Sequence, residues 1–224
     1  MKNSKKAVIF DLDGVIVDTA KFHFLAWQNL AEKLGITFTA EDNEHLKGVS
    51  RVRSLEKILK WGHKEVSQEE FEELMHDKNE EYLTYVNQMT TKDILPRVKE
   101  TLDYLKKENH PIALGSASKN AKRILKHVGL MHYFDAIVDG NEVTQAKPNP
   151  EVFLKAAKLL NVNPQNAIVF EDSLSGIEAA NTGQMLSIGI GNARVLAAAD
   201  YVFKNFRELD LETLKNILNK QTNL

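Results

Sequence analysis

Two carboxylates stand two residues apart in Asp11-Leu12-Asp13-Gly14, directly after the apolar run Ala7–Phe10. At the carboxyl end of a parallel strand, where α/β sheets bind their ligands, both can face one site, and Gly14 permits a sharp turn. A second acidic pair, Glu171-Asp172, follows a second apolar run, Ala167–Phe170. Taken singly, each pair reads as an acidic turn or a helix cap. Taken together they pose a problem of charge, because two unit charges ~4 Å apart repel by ~4 kcal/mol at an effective dielectric of ~20. A hard divalent cation removes that repulsion. Oxygen-only ligands suit Mg²⁺, which also favours phosphate partners.

Two further segments supply what a phosphate needs. Gly115-Ser116-Ala117-Ser118-Lys119-Asn120 follows the run Ile112–Leu114 and precedes a helical pattern. Free amides there, with the hydroxyls of Ser116 and Ser118, make a candidate anion cradle. Lys147, in Ala146-Lys147-Pro148-Asn149-Pro150, brings a positive charge ahead of a proline-started helix. Serines before a helix are commonly plain caps, and most lysines are solvated. The weight lies in the joint occurrence of all four segments.

These groups need a frame that gathers them. The runs Ala7–Phe10, Ile112–Leu114, Ala136–Val138, Ala167–Phe170 and Leu186–Ile190 are of strand length. None alternates cleanly, so each is expected to be buried on both faces, as in a parallel sheet. Helical patterns lie between them: Val98, Leu102 and Leu105 on one face, Ile124, Leu125 and Val128 on another, Phe153, Ala156, Ala157 and Leu160 on a third. Strands alternating with helices predict a doubly wound α/β fold. From about Thr19 to Met89 the alternation stops. Phe22, Ala26, Leu30 and Leu34 share a helix face, as do Leu55, Ile58 and Leu59. Ser67 opens a capping-box pattern ahead of Phe71, Leu74, Met75 and Tyr82. The expected division is a core of residues 1–17 and 92–224 with an inserted helical cap at residues 18–91.

Composition bounds the rest. The 224 residues suffice for one domain with a smaller insertion. A net charge of -2 gives no basic excess that would point to nucleic acid. The chain has no cysteine, which excludes disulfides, thiolate catalysis and cysteine-ligated metals and fits a cytoplasmic location. The first six residues are basic, but Ala7–Phe10 is too short for a signal segment, and no stretch approaches the ~20 apolar residues of a membrane span. The expectation is a cytoplasmic monomer with neither a nucleic-acid nor a membrane partner.

The four segments, in this order and over nearly the whole chain, resemble the four motifs of the haloacid dehalogenase-like hydrolase superfamily. The resemblance implies a Rossmann-like parallel sheet core with a helical cap inserted after the first strand. Within the superfamily, Asp18-Thr19-Ala20, His23, Trp27, Leu46-Lys47-Gly48-Val49-Ser50-Arg51, Ser54 and Lys78-Asn79 make the chain similar to sugar-phosphate mutases rather than to the many general phosphatases. Gly115 and Asn149 depart from the usual small residues at those places, and neither touches the assigned chemistry.

The resemblance also implies roles. Asp11 attacks phosphorus and carries an aspartyl-phosphate, and Asp13 is general acid and base. Mg²⁺ is held by Asp11, the Asp13 backbone carbonyl, and Glu171 or Asp172. Lys147, Ser116 and the Ala117 amide hold the transferring phosphoryl group. Arg51, with Ser118, Lys119 and Asn120, clamps a second phosphate. Thr19 and His23 position Asp13, while Lys47, Gly48, Val49 and Lys78 line the sugar pocket, with Trp27 and Ser54 in the same binding set. The implied substrates are glucose 1-phosphate and glucose 6-phosphate, exchanged through glucose 1,6-bisphosphate. Without the resemblance, His23 between two phenylalanines, Trp27, Lys47 and Arg51 read as packing or surface residues. The competing expectations are a Mg²⁺-dependent sugar-phosphate phosphatase of the same fold, a non-catalytic phosphometabolite- or metal-binding protein, and a phosphonate-cleaving enzyme with Lys47 as a Schiff base.

Overall fold

The computed structural model describes residues 5–47 and 49–220. Gly48, expected in the sugar pocket, lies outside the described residues, as does the basic start at residues 1–4.

Six strands form one parallel sheet: β1 (Ala7–Phe10), β2 (Ile112–Gly115), β3 (Ala136–Val138), β4 (Ala167–Glu171), β5 (Leu186–Ile190) and β6 (Tyr201–Phe203), in the order β3-β2-β1-β4-β5-β6. The first five coincide with the apolar runs. β6 is a half-buried edge strand of three residues, too short to announce itself by composition.

The pleat divides the core in two. Val8, Phe10, Ile112, Leu114, Ile168 and Phe170 point to one face, where they meet α5 (Val98–Lys107), α6 (Ala121–His127) and α9 (Leu211–Asn219). Ala7, Ile9, Ala113, Ala167 and Val169 point to the other, against α7 (Glu151–Leu159) and α8 (Leu174–Thr182). Phe10 and Phe170 stack across β1 and β4 with ring centroids 4.9 Å apart, and each such buried side chain contributes about 2–3 kcal/mol. The rings pin the two strands that carry the acidic segments.

Between β1 and β2 run α1 (Ala20–Lys33), α2 (Ala40–Glu44), α3 (Arg51–Trp61) and α4 (Gln68–Val86). They build a separate cluster from Trp27, Leu30, Phe38, Leu46, Leu55, Ile58 and Leu59, among others. The apolar face of α1 is shared: Leu30 belongs to that cluster, but Ala26 joins Tyr82 and Val86 in the core of the sheet. Ser67 caps α4 by accepting from the Glu70 amide at 3.1 Å. The reciprocal box forms instead at Thr39, whose amide donates to Asp42 while its hydroxyl accepts from the Asp42 amide. The chain enters and leaves this helical stretch side by side, with Val17 and Ile94 in an antiparallel bridge and the Leu95 amide donating to the Ile16 carbonyl at 2.9 Å.

From β1 the chain proceeds outward to β2 and β3, then returns through α7 to β4 on the other side of β1. The carboxyl ends of β1 and β4 therefore flank the point where connections diverge, the place at which such sheets open a crevice for ligands.

Candidate active site

Asp11 follows β1 and Glu171 ends β4, so the parallel register sets them side by side. Lys147 reaches between them from the loop before α7. Its ammonium donates to Asp11 Oδ1 at 2.5 Å and to Glu171 Oε2 at 2.8 Å, and lies 4.7 Å above the Phe153 ring. All three side chains are buried. Glu171 Oε1 accepts from the Asp172 amide and from both the amide and the hydroxyl of Ser173. That hydroxyl also caps α8 by accepting from the Gly176 amide, so the carboxylate is locked to a helix start. A Cβ on Gly176 would fall 2.0 Å from Glu171 Oε2, and one on Gly14, whose φ is +80°, would fall 2.1 Å from Asp172 Oδ2. Glycine at both positions is what lets the acidic groups close in.

The charges do not balance locally. Among the described residues, Asp11, Glu171 and Asp172 share one buried ammonium, which pairs with Asp11 and Glu171, while Lys47 comes near Asp172 only at 4.0 Å. Burial raises the carboxyls of Asp11, Asp13 and Asp172 above their ordinary range, and Glu171 raises each of them further, against the pull of lysines. Burial opposes the charge on Lys147, but Asp11 and Glu171 outweigh it and hold the ammonium above its usual value. One oxygen or more from each of Asp11, Glu171 and Asp172 lies within 4.8 Å of the others, a donor set of oxygens alone. Among the described residues, the Asp172 carboxylate accepts no hydrogen bond. The excess of negative charge, the hard donors and the open carboxylate fit a divalent cation.

Asp13, outside this donor set, accepts from the Thr19 hydroxyl. Thr19 is the N-cap of α1, yet its side chain makes no capping bond; the hydroxyl goes to Asp13 instead. Ser116 and Ser118 do not cap α6 either. Each accepts the amide two residues on, from Ser118 at 3.1 Å and from Asn120 at 3.3 Å, which shapes the loop after β2.

The helical stretch supplies the opposite wall. Lys78, 2% exposed, contacts His23 Nδ1 at 2.9 Å and sits over the rings of Trp27 and Tyr82 at 4.5 and 4.8 Å. Burial, and then the charge of Arg51, lower Lys78 to about 7. Burial, then Lys78 and Arg51, hold His23 well below its ordinary value, so it is neutral. Arg51, in the first turn of α3, makes no ion pair among the described residues. Ser54 turns its hydroxyl back to the Ser50 carbonyl at 3.1 Å. Asn79 accepts from the Asn120 side chain at 3.0 Å and so ties α4 to the loop after β2.

Both walls enclose one cavity of about 730 Å³. From the sheet side it is lined by Asp11, Asp13, Asp172, Lys147, Ala117, Ser118, Lys119 and Asn120; from the helical side by His23, Trp27, Lys47, Val49, Arg51, Ser54 and Lys78. Thr19, Ser116 and Glu171 are fully buried behind the lining. Tyr82, Ser173 and Gly176 were not among the expected site residues. Tyr82 carried a signal, being four residues after Lys78 on the same helix face; the roles of Ser173 and Gly176 depend on how α8 meets β4.

Residues 5–183 match the family model of the haloacid dehalogenase-like hydrolases. The chain is 44% identical over 211 residues to a β-phosphoglucomutase of Bacillus subtilis, covering 93% of each chain. It is 32% identical to a phosphorylated carbohydrates phosphatase of Thermotoga maritima, covering 95% of this chain and 100% of that protein. The crystal structure of a β-phosphoglucomutase from Clostridium difficile superposes with a TM-score of 0.92 at 44% identity, over 96% of this chain and 98% of that one.

Proposed function

The chain belongs to the haloacid dehalogenase-like hydrolase family, and from that premise we propose that it is a β-phosphoglucomutase, interconverting β-glucose 1-phosphate and glucose 6-phosphate. The observation that carries this reading is the second charged wall. Arg51 and Lys78 line the same cavity as Asp11 and Asp13, and among the described residues neither makes an ion pair with a carboxylate. A phosphatase needs one phosphate site; two facing sites suit a sugar bisphosphate that must be held in either orientation.

Asp11 attacks the phosphorus and the phosphorus–oxygen bond to the sugar breaks, leaving an aspartyl-phosphate. Lys147 holds the Asp11 carboxylate in place and faces the phosphoryl oxygens, aided by the Ala117 amide and Ser116. Asp13 gives its proton to the departing sugar oxygen, and takes one from the other hydroxyl when the turned bisphosphate is made. The raised Asp13 carboxyl suits a group that must carry that proton. Thr19 and His23 orient it. Arg51 clamps the distal phosphate with Ser118, Lys119 and Asn120, while Lys47, Val49, Trp27, Ser54 and Lys78 surround the sugar. Asp11 and Asp172, with Glu171 and the Asp13 carbonyl, would hold Mg²⁺, whose charge screens nucleophile from phosphate and stabilises the transferring group.

In this reading residues 18–91 are a cap on a core of residues 1–17 and 92–224, and the side-by-side passage at Val17 and Ile94 supports a hinge there. One chain carries the described lining, which supports a monomer as the working unit. It acts in the cytoplasm, on substrates too charged to cross a bilayer unaided.

A sugar-phosphate phosphatase is the second reading, favoured by the 32% identity to the Thermotoga maritima phosphatase. The test is ³¹P NMR of β-glucose 1-phosphate with the purified protein, Mg²⁺ and a trace of glucose 1,6-bisphosphate. Conversion to glucose 6-phosphate is expected. Release of inorganic phosphate alone would reject the mutase.

A further inference from the structure

Asn120 lines the cavity from the loop after β2 and stands at the N-cap of α6, yet its side chain makes no capping bond. Its Nδ2 donates instead to Asn79 Oδ1 on α4, at 3.0 Å. Asn79 is half-buried, follows Lys78 in the helical wall, and lies outside the lining of the cavity.

The backbone of this loop is held without α4. The Asn120 amide donates to Ser118 Oγ at 3.3 Å. The Ser118 carbonyl accepts from the Gly140 amide at 3.2 Å, and the Lys119 carbonyl accepts from Asn141 Nδ2 at 3.0 Å. A Cβ on Gly140 would fall 2.3 Å from the Ala117 carbonyl oxygen, so the loop after β3 is pressed against the loop after β2. What the bond from α4 adds is the rotation of one side chain. An asparagine amide has two N–H donors and one carbonyl acceptor, and its terminal torsion is broad and roughly two-fold. Beside the Asn79 carbonyl the Asn120 nitrogen turns toward it, because the flipped amide would set two carbonyl oxygens together. One N–H is then spent on Asn79 and the other is left to donate. An anion takes such a donor and is repelled by a carbonyl oxygen.

We propose that Asn79 is a positioning residue for the distal phosphate and acts through Asn120: its carbonyl turns the Asn120 amide so that an N–H, and not the carbonyl oxygen, meets the phosphate that Arg51 clamps. The proposal rests on the mutase reading, which places Asn120 at that phosphate. It assigns Asn79 no contact with substrate or with a reacting atom.

The test is Asn79→Ala, which removes the acceptor and keeps a strong helix former on α4. In the isomerisation assay KM for β-glucose 1-phosphate should rise about fivefold, the scale of one neutral hydrogen bond, with kcat changed by less than about twofold. Thermal denaturation should show the variant folded. Release of inorganic phosphate from phosphorylated Asp11, with no sugar phosphate to fill the distal place, should stay within about twofold of the wild type, since that place is then unused. In an Asn120→Ala background, Asn79→Ala should cost nothing more. An unchanged KM overturns the proposal. So do losses that add to those of Asn120→Ala, and so does an equal change in the release without sugar, which would make Asn79 a tie between the walls and not a guide to the phosphate. If the wild type releases only inorganic phosphate from β-glucose 1-phosphate, the mutase reading fails separately. The fivefold rise in KM is then read on hydrolysis of glucose 1,6-bisphosphate, which brings a second phosphate, against glucose 6-phosphate, which does not.

Discussion

At the ends of β1 and β4, Lys147 is pinned between Asp11 and Glu171 at 2.5 and 2.8 Å. Across the cavity Lys78 is just as buried, but its neighbours are a neutral histidine and two aromatic faces. Arg51 beside it is likewise without an ion pair among the described residues. On the sheet side carboxylates outnumber cations, and every acidic group whose value moves there moves upward. On the helical side cations outnumber carboxylates, and Lys78 and Arg51 move downward. Each wall is thus incomplete in the opposite sense. The sheet side is completed by a cation and the phosphoryl group that cation accompanies. The helical side is completed by an anion that must arrive with the substrate.

Asp11→Asn strikes the sheet side hardest. With the nucleophile gone, turnover should fall at least about 10³-fold in a coupled assay while the fold persists. Retained turnover would place the nucleophile elsewhere and dissolve the contrast.

Arg51→Ala removes a cation from the helical side. A lost charge-assisted bond of about 1.5–3 kcal/mol corresponds to roughly 10- to 100-fold in isomerisation rate, with much less effect on any slow release of inorganic phosphate. Equal losses in both reactions would mean that Arg51 serves the transferring phosphate.

Gly176→Ala tests how tightly the acidic cluster is closed. The added methyl would overlap Glu171, and overpacking of this kind costs about 1–3 kcal/mol, or about 2–4 °C per kcal/mol in melting temperature. A variant as stable as the wild type would show slack around Glu171.

The smallest effect is a slope. Lys78 is lowered to about 7 in the fold, against 10.5 for an ordinary lysine. Between those values the unfolded chain binds a proton that the native state has released, so this lysine makes stability rise with pH. Below pH 7 both states are protonated and the cost of burying the charge is fully felt. Urea denaturation without ligand should therefore show the wild type gaining on Lys78→Met as pH climbs from 7 to 10. A constant difference would mean that Lys78 stays charged.

Much of this was open to a reading of residue types. The acidic pairs, the small-residue loop and Lys147 sit at strand ends or before a helix, where spacing alone restricts what they can face. Five strands were likewise apparent, because a strand buried on both faces leaves an unbroken apolar run. β6 was not, being three half-buried residues at an edge. The helical wall was harder. His23, Lys78 and Tyr82 look like ordinary members of amphipathic helices, and only the packing of α1 on α4 turns them inward together. Thr19 is similar: it stands at the N-cap of α1, and its hydroxyl goes to Asp13.

The central claim is that the helical wall makes a sugar phosphate, and not water, the acceptor of the phosphoryl group on Asp11. The direct measurement is the partition of that group in a single turnover. Protein phosphorylated on Asp11 would be mixed with β-glucose 1-phosphate, and the ratio of bisphosphate to inorganic phosphate read by ³¹P NMR. Bisphosphate should form in large excess, and that excess should shrink in Arg51→Ala. Inorganic phosphate as the main product of the wild type, whatever the sugar phosphate concentration, would contradict it.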